Sequence, residues 1–180
     1  MKIRRVVASN GANGKSVVQS DEFAPRTVEY SSVPGFATAL LWSTPETPEV
    51  GAAVVATDTS LAVTFVPSPG ETRLMMVTFP PDSVMMRADF DPAAFGAEFE
   101  QNAPGLAERF ERDNPGMHTT DSIDYDVVLD GEITLELDDD KEVVLRRHDV
   151  CVQHGTRHAW RNRTDKPATM LFVLVGATHR

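Results

Sequence analysis

Short apolar, β-rich runs separated by turn-forming residues fill residues 1–90. Residues 3–8 form the first run, closed by Asn10-Gly11 and Asn13-Gly14, and residues 16–19 follow at hairpin distance. Residues 36–42, 63–66 and 73–79 are the next expected strands, punctuated by Pro34-Gly35, by Pro67-Ser68-Pro69-Gly70 and by Pro80-Pro81. The pattern then changes. Asp91-Pro92 is a helix opening, an N-cap acceptor followed by a proline in the first turn, and Ala94, Phe95, Ala97 and Phe99 supply an apolar face. A second short helix is expected over residues 106–112. From Gly116 onward the period is two. Strands are expected at 123–129, 132–137, 143–146, 150–153, 158–163 and 170–175, with a tight turn at Asp130-Gly131 and a solvated acidic tip at Asp138, Asp139 and Asp140. Regularly spaced short strands with turn signals predict an antiparallel sandwich or barrel. The predicted organisation is an N-terminal strand extension (1–90), a helical segment (91–113) and a barrel core (114–178), all within one domain.

Composition narrows the function classes. The chain has 180 residues, 41 % hydrophobic and 24 % charged, as expected of a globular domain with a real core. Its formal charge is −10 and there is no basic block, which argues against nucleic acid and anionic membrane as partners. No apolar run reaches the roughly 18 residues of a membrane helix. The start lacks a signal-peptide core, and the one cysteine allows no internal disulfide, so the expected location is the cytoplasm. Cys151 lies in a run of valines and reads as a buried structural thiol.

The histidines carry the candidate chemistry. His118 and His158 stand at the mouths of two expected barrel strands, with Asp124 between them in sequence. If Asp124 faces inward, alternation brings Asp126 and Val128 inside with it. An inward His158 brings Trp160 and Asn162. Two imidazoles and a carboxylate around an apolar cavity suit Fe(II), and also Mn, Zn or Ni, with positions left open for a substrate.

Two stretches resemble the motifs of small single-domain cupins. In Gly116-Met117-His118-Thr119-Thr120-Asp121-Ser122-Ile123-Asp124, followed by Gly131, the first histidine and the glycine match. Thr120 stands at the position of the second histidine, and Asp124 at the position of the glutamate. In the second stretch Gly155, His158 and Asn162 match, while Arg147 and Gln153 replace a glycine and a proline. The resemblance implies an all-β double-stranded β-helix, a jelly-roll barrel with an N-terminal β extension and a short helical segment before the first motif. It also implies a homodimer formed by exchange of N-terminal strands.

The resemblance further implies a metal-dependent enzyme acting on a small organic or aromatic molecule, as a decarboxylase, dehydratase, isomerase or dioxygenase. His118, Asp124 and His158 would hold one divalent ion, and Trp160, Thr120, Val128 and Asn162 would contact the substrate. His154 or Asp126 would serve as a general base. The alternative is a non-catalytic barrel that binds a small ligand by cavity shape, which the threonine at 120 favours, because a hydroxyl is a poor ligand for a divalent metal.

Overall fold

The computed structural model describes residues 1–51 and 58–179. Eleven strands and one α-helix are present among them. Strands β1 (Arg4–Asn10) and β2 (Ser16–Phe23) form a separate hairpin. β3 (Arg26–Glu29), β4 (Ala37–Thr44) and β5 (Thr72–Phe79) precede the helix α1 (Pro92–Asn102). After it come β6 (Ser122–Asp130), β7 (Glu132–Glu136), β8 (Glu142–Arg146), β9 (Val150–His154), β10 (Ala159–Arg161) and β11 (Ala168–Gly176). A six-stranded sheet runs β3-β4-β5-β11-β6-β9 and a three-stranded sheet runs β10-β7-β8, with every strand pair antiparallel. The mainly β architecture with one short helix is the one expected from the sequence. No helix of the described residues is long and apolar enough to cross a membrane.

Alternation builds the core. The burial pattern of β11 alternates strictly over nine residues, sending Met170, Phe172 and Leu174 inward, and β5 sends Met75 and Val77 to meet them. These join Ile133 and Leu135 of the smaller sheet and Leu145 of β8 in one apolar cluster. The turn from β6 to β7 needs a glycine: Gly131 has φ +80°, and a Cβ there would stand 2.7 Å from the Pro167 carbonyl oxygen.

Three expectations are corrected. Residues 63–66 form no strand. Phe65 and Val66 are buried and Val63 half-buried from an irregular segment, held where the Phe65 N–H donates to the Pro104 carbonyl at 2.9 Å. The second helix is a single 3-10 turn, Ala107–Arg109. Strand β3 was not anticipated, because its four residues carry too little alternation and owe their geometry to pairing with β4. β3, β4 and β5 are integral to the larger sheet. Only the β1–β2 hairpin stands apart, tethered where Arg5 donates to the Leu41 carbonyl and stacks over Trp42.

Helix α1 starts as its sequence dictates: the Asp91 carboxylate accepts from the N–H groups of Ala93 and Ala94, with Pro92 in the first turn. Phe95 packs edge-on against Tyr30 and Phe36, and Phe99 edge-on against Phe36 and tilted against Tyr30. Glu98 fastens the helix to the β3–β4 loop, accepting from the N–H and hydroxyl groups of both Ser31 and Ser32. These donors hold its carboxyl down to about 2. A carboxyl depressed on folding contributes stability above its unfolded pKa and loses it as pH falls through the folded one. Glu98→Gln is therefore expected to lower Tm at pH 7, with the gap to wild type closing between about pH 4.5 and pH 2 in thermal melts.

Candidate functional site

Strand β6 lies between β9 and β11 and is hydrogen-bonded to both. Its alternate residues Ser122, Asp124, Asp126 and Val128 are buried on the inner face, as the alternation predicts. Register places Asp124 beside Gln153 and Leu174, and Asp126 beside Cys151 and Phe172. Asp124, Asp126 and Gln153 are 5 %, 1 % and 3 % exposed.

Most of this polar surface lacks partners. Both carboxyl oxygens of Asp126, Oδ1 of Asp124 and Nε2 of Gln153 are buried without a hydrogen bond. Buried polar groups are nearly always paired, so four such atoms on one patch of wall are unusual. Burial pushes the Asp126 carboxyl up to about 8, with the neighbouring Asp124 adding to the effect. Burial raises Asp124 to about 6, against the pull of the Ser122 and Thr120 hydroxyls. Cys151 is free and half-buried, and burial lifts its thiol to about 11. That agrees with an unreactive thiol, although it is less buried than the sequence implied.

The two histidines meet at the edge of the smaller sheet. His118 and His158 exchange backbone hydrogen bonds at 2.9 and 3.0 Å, and their ring centroids lie 4.3 Å apart. Phe110 stacks on His118 at 4.4 Å, and Trp160 meets His158 edge-on at 5.7 Å. Nδ1 of His118 faces the Gly116 carbonyl at 3.1 Å, and Nδ1 of His158 faces the Thr156 carbonyl at 2.9 Å. A carbonyl only accepts, so each Nδ1 carries the hydrogen and each Nε2 keeps its lone pair. Burial drives His118 down to about 3, helped by His158 beside it, and burial lowers His158 as well. Both imidazoles are neutral at pH 7.

Arginines fasten the segment that carries Phe110 and His118. Arg157 donates to both carboxylate oxygens of Glu111 and to Asp138 across the β7–β8 turn. Arg161 pairs with Glu136 and donates to the Pro115 carbonyl.

The structure thus brings His118 to His158, and Asp124 to Asp126. Among the described residues, no three His, Cys, Asp or Glu side chains stand together as a group that could hold a metal ion. The remaining candidates divide. Trp160 is half-buried against the core and Phe172. Thr120 accepts from Ser122 at 2.9 Å, and Val128 is a fully buried core residue.

Two candidates are corrected. His154 pairs with Ile123 at the end of β9 and lies exposed with Val150 and Val152, opposite to the inward Gln153, so it does not reach the interior. Asn162 spends its polar atoms on structure. Its Nδ2 donates to the Phe79 and Lys166 carbonyls and its Oδ1 accepts from Thr164, so it closes a turn rather than meeting a substrate. Gln153 was missed from sequence. It stands where a proline was expected, and only the pairing of β9 with β6 shows that it faces inward. Two open clefts, of about 520 and 600 Å³, are lined by other residues.

Comparison with known proteins places this geometry. Residues 112–174 match the Cupin domain family. Phomopsin biosynthesis cluster protein C' of Diaporthe leptostromiformis is 55 % identical over 62 residues, 34 % of this chain and 33 % of that protein. The cupin-domain-containing oxidoreductase virC of Hypocrea virens is 39 % identical over 62 residues, 33 % of this chain and 32 % of that protein. The aligned segment spans about a third of the length of these curated relatives. A solved cupin superfamily protein from Desulfitobacterium hafniense superposes with a TM-score of 0.36 at 13 % identity, covering 58 % of this chain and 67 % of its own. The segment that matches the Cupin domain family holds His118, Asp124, Asp126, Gln153 and His158.

Proposed function

We propose that the barrel interior binds a small organic molecule and acts on it by proton transfer, as an isomerase or dehydratase does. The observation that carries this reading is the set of unpartnered polar atoms on the inner face of β6 and β9. Leaving a buried donor or acceptor unsatisfied costs about 1–3 kcal/mol each. Such a cost persists where a ligand satisfies the groups when it binds. Asp126 would hold or release a proton at its carboxyl oxygens, and the lone pair on Nε2 of His158 would accept one. Trp160 would pack against the bound molecule. The names of the biosynthesis-cluster relatives and of the cupin-domain oxidoreductases support an enzyme of small-molecule metabolism over a passive barrel.

A second reading keeps a divalent ion: iron, manganese, zinc or nickel. The neutral imidazoles and the unpartnered Asp124 Oδ1 favour it, because these are the donors such ions take. His118 and His158 would supply two protein ligands, Asp124 does not stand with them as the sequence expects, and the ion when bound would supply Lewis-acid chemistry with its remaining positions open. Chelator-stripped protein is reloaded with each metal and its content is measured by mass spectrometry. Near-unit stoichiometry that disappears in His118→Ala and in His158→Ala is expected on this reading, and no uptake of any metal contradicts it.

The proton-transfer reading requires Asp126 to be there at a cost to stability. A carboxyl whose pKa rises on folding keeps its proton in the folded state while the unfolded chain gives it up. Stability therefore falls as pH rises from about 4 toward 8. Asp126→Asn removes that penalty. In metal-free protein the variant is expected to melt above wild type at pH 8, by roughly 2–4 °C for each kcal/mol recovered, and to match it near pH 4. A variant that melts below wild type at pH 8 contradicts the assignment.

A further inference from the structure

We propose that the interior selects ligands carrying an amine or ammonium group and rejects organic anions. This deepens the small-molecule reading above and rests on it. The argument is a count of donors against acceptors. On the inner wall the unpartnered atoms are three carboxyl oxygens, from Asp124 and Asp126, one of which carries the proton held on Asp126, and the Gln153 amide nitrogen. The Nε2 atoms of His118 and His158, with Nδ1 committed to backbone carbonyls, add two more acceptors at the edge of the smaller sheet. A molecule rich in N–H donors satisfies such a surface. A carboxylate or phosphate adds acceptors to it and leaves the wall unsatisfied.

Charge points the same way. Among the described residues the buried arginine is Arg73, on the inner face of β5. Its guanidinium is already committed to the Thr64 and Thr72 carbonyls and to the Glu71 carboxylate. An anionic ligand therefore meets carboxyls and no free cation. An ammonium group meets carboxyls and an aromatic flank. Phe172 is the β11 neighbour of Asp126, and the Trp160 ring lies 5.9 Å from it, edge-on. Ring faces beside carboxylates attract organic cations. Gln153, directly opposite Asp124 on β9, offers its one free donor to a carbonyl or hydroxyl on the same ligand.

The test uses three probes with one ring and different head groups: benzylamine, benzyl alcohol and benzoate. Each is titrated calorimetrically into the full chain in EDTA-containing buffer, so that no metal ion takes the place of the amine. Benzylamine is expected to bind at least about tenfold more tightly than benzoate, the discrimination a charge-assisted hydrogen bond supplies. The preference is expected to collapse in Asp126→Asn. Asp124→Asn serves the same purpose if that variant does not fold. Benzoate binding as tightly as benzylamine overturns the amine preference and leaves the small-molecule reading standing. A preference unchanged in the folded variant overturns the role of the carboxyl pair. Failure of all three probes to bind overturns both.

Discussion

Strand β6 is hydrogen-bonded on both sides, to β9 and to β11, and that pairing leaves its side chains two directions only. Val128 must face the core, so Asp126, Asp124 and Ser122 must face it too. A register slip of one residue would move the carboxyls outward, but it would move Val128 outward with them. The fold therefore keeps two carboxyl groups in a low-dielectric interior, and burial raises both pKa values. The unpartnered carboxyl atoms follow from this one constraint, and the proposed preference for donor-rich ligands rests on them.

The opposite edge is held differently. His118 lies outside the regular strands, in a segment kept in place by its exchange of backbone bonds with His158 and by Phe110 stacked on its ring. Arg157 and Arg161 anchor that segment from the surface side, through Glu111 and the Pro115 carbonyl. The carboxyl wall is thus positioned by sheet register, and the histidine pair by side chains that reach back across irregular chain. A site with its two halves on separate supports can be tuned on one side without disturbing the other.

Much of this was legible in the alternation of residues. Once Asp124 is turned inward, Asp126 and Val128 follow, and the same rule turns His158 and Trp160 toward the interior. The turn glycine at 131 and the helix opening at Asp91 were equally readable, because each answers a local backbone demand. What could not be read depended on partners distant in sequence. Gln153 joins the site only because β9 pairs with β6. His154, expected as a general base, leaves it for the same reason. Asn162 was placed inside correctly, yet its role comes from Phe79, Lys166 and Thr164, which no spacing reveals. The irregular stretch at 63–66 is buried like a strand without pairing like one, and an apolar run cannot distinguish these cases.

A barrel that retains unpaired carboxyls gives up stability that hydrophobic residues of similar volume would supply, a trade usually found where groups are kept for function. The most direct test is a carbon-13 NMR titration of the aspartate carboxyl carbons in metal-free protein, with Asp126→Asn and Asp124→Asn used to assign the resonances. The account predicts midpoints near 8 for Asp126 and near 6 for Asp124. Midpoints for both near 4, the value of an exposed aspartate, would mean that the pair is solvated, and would contradict the account.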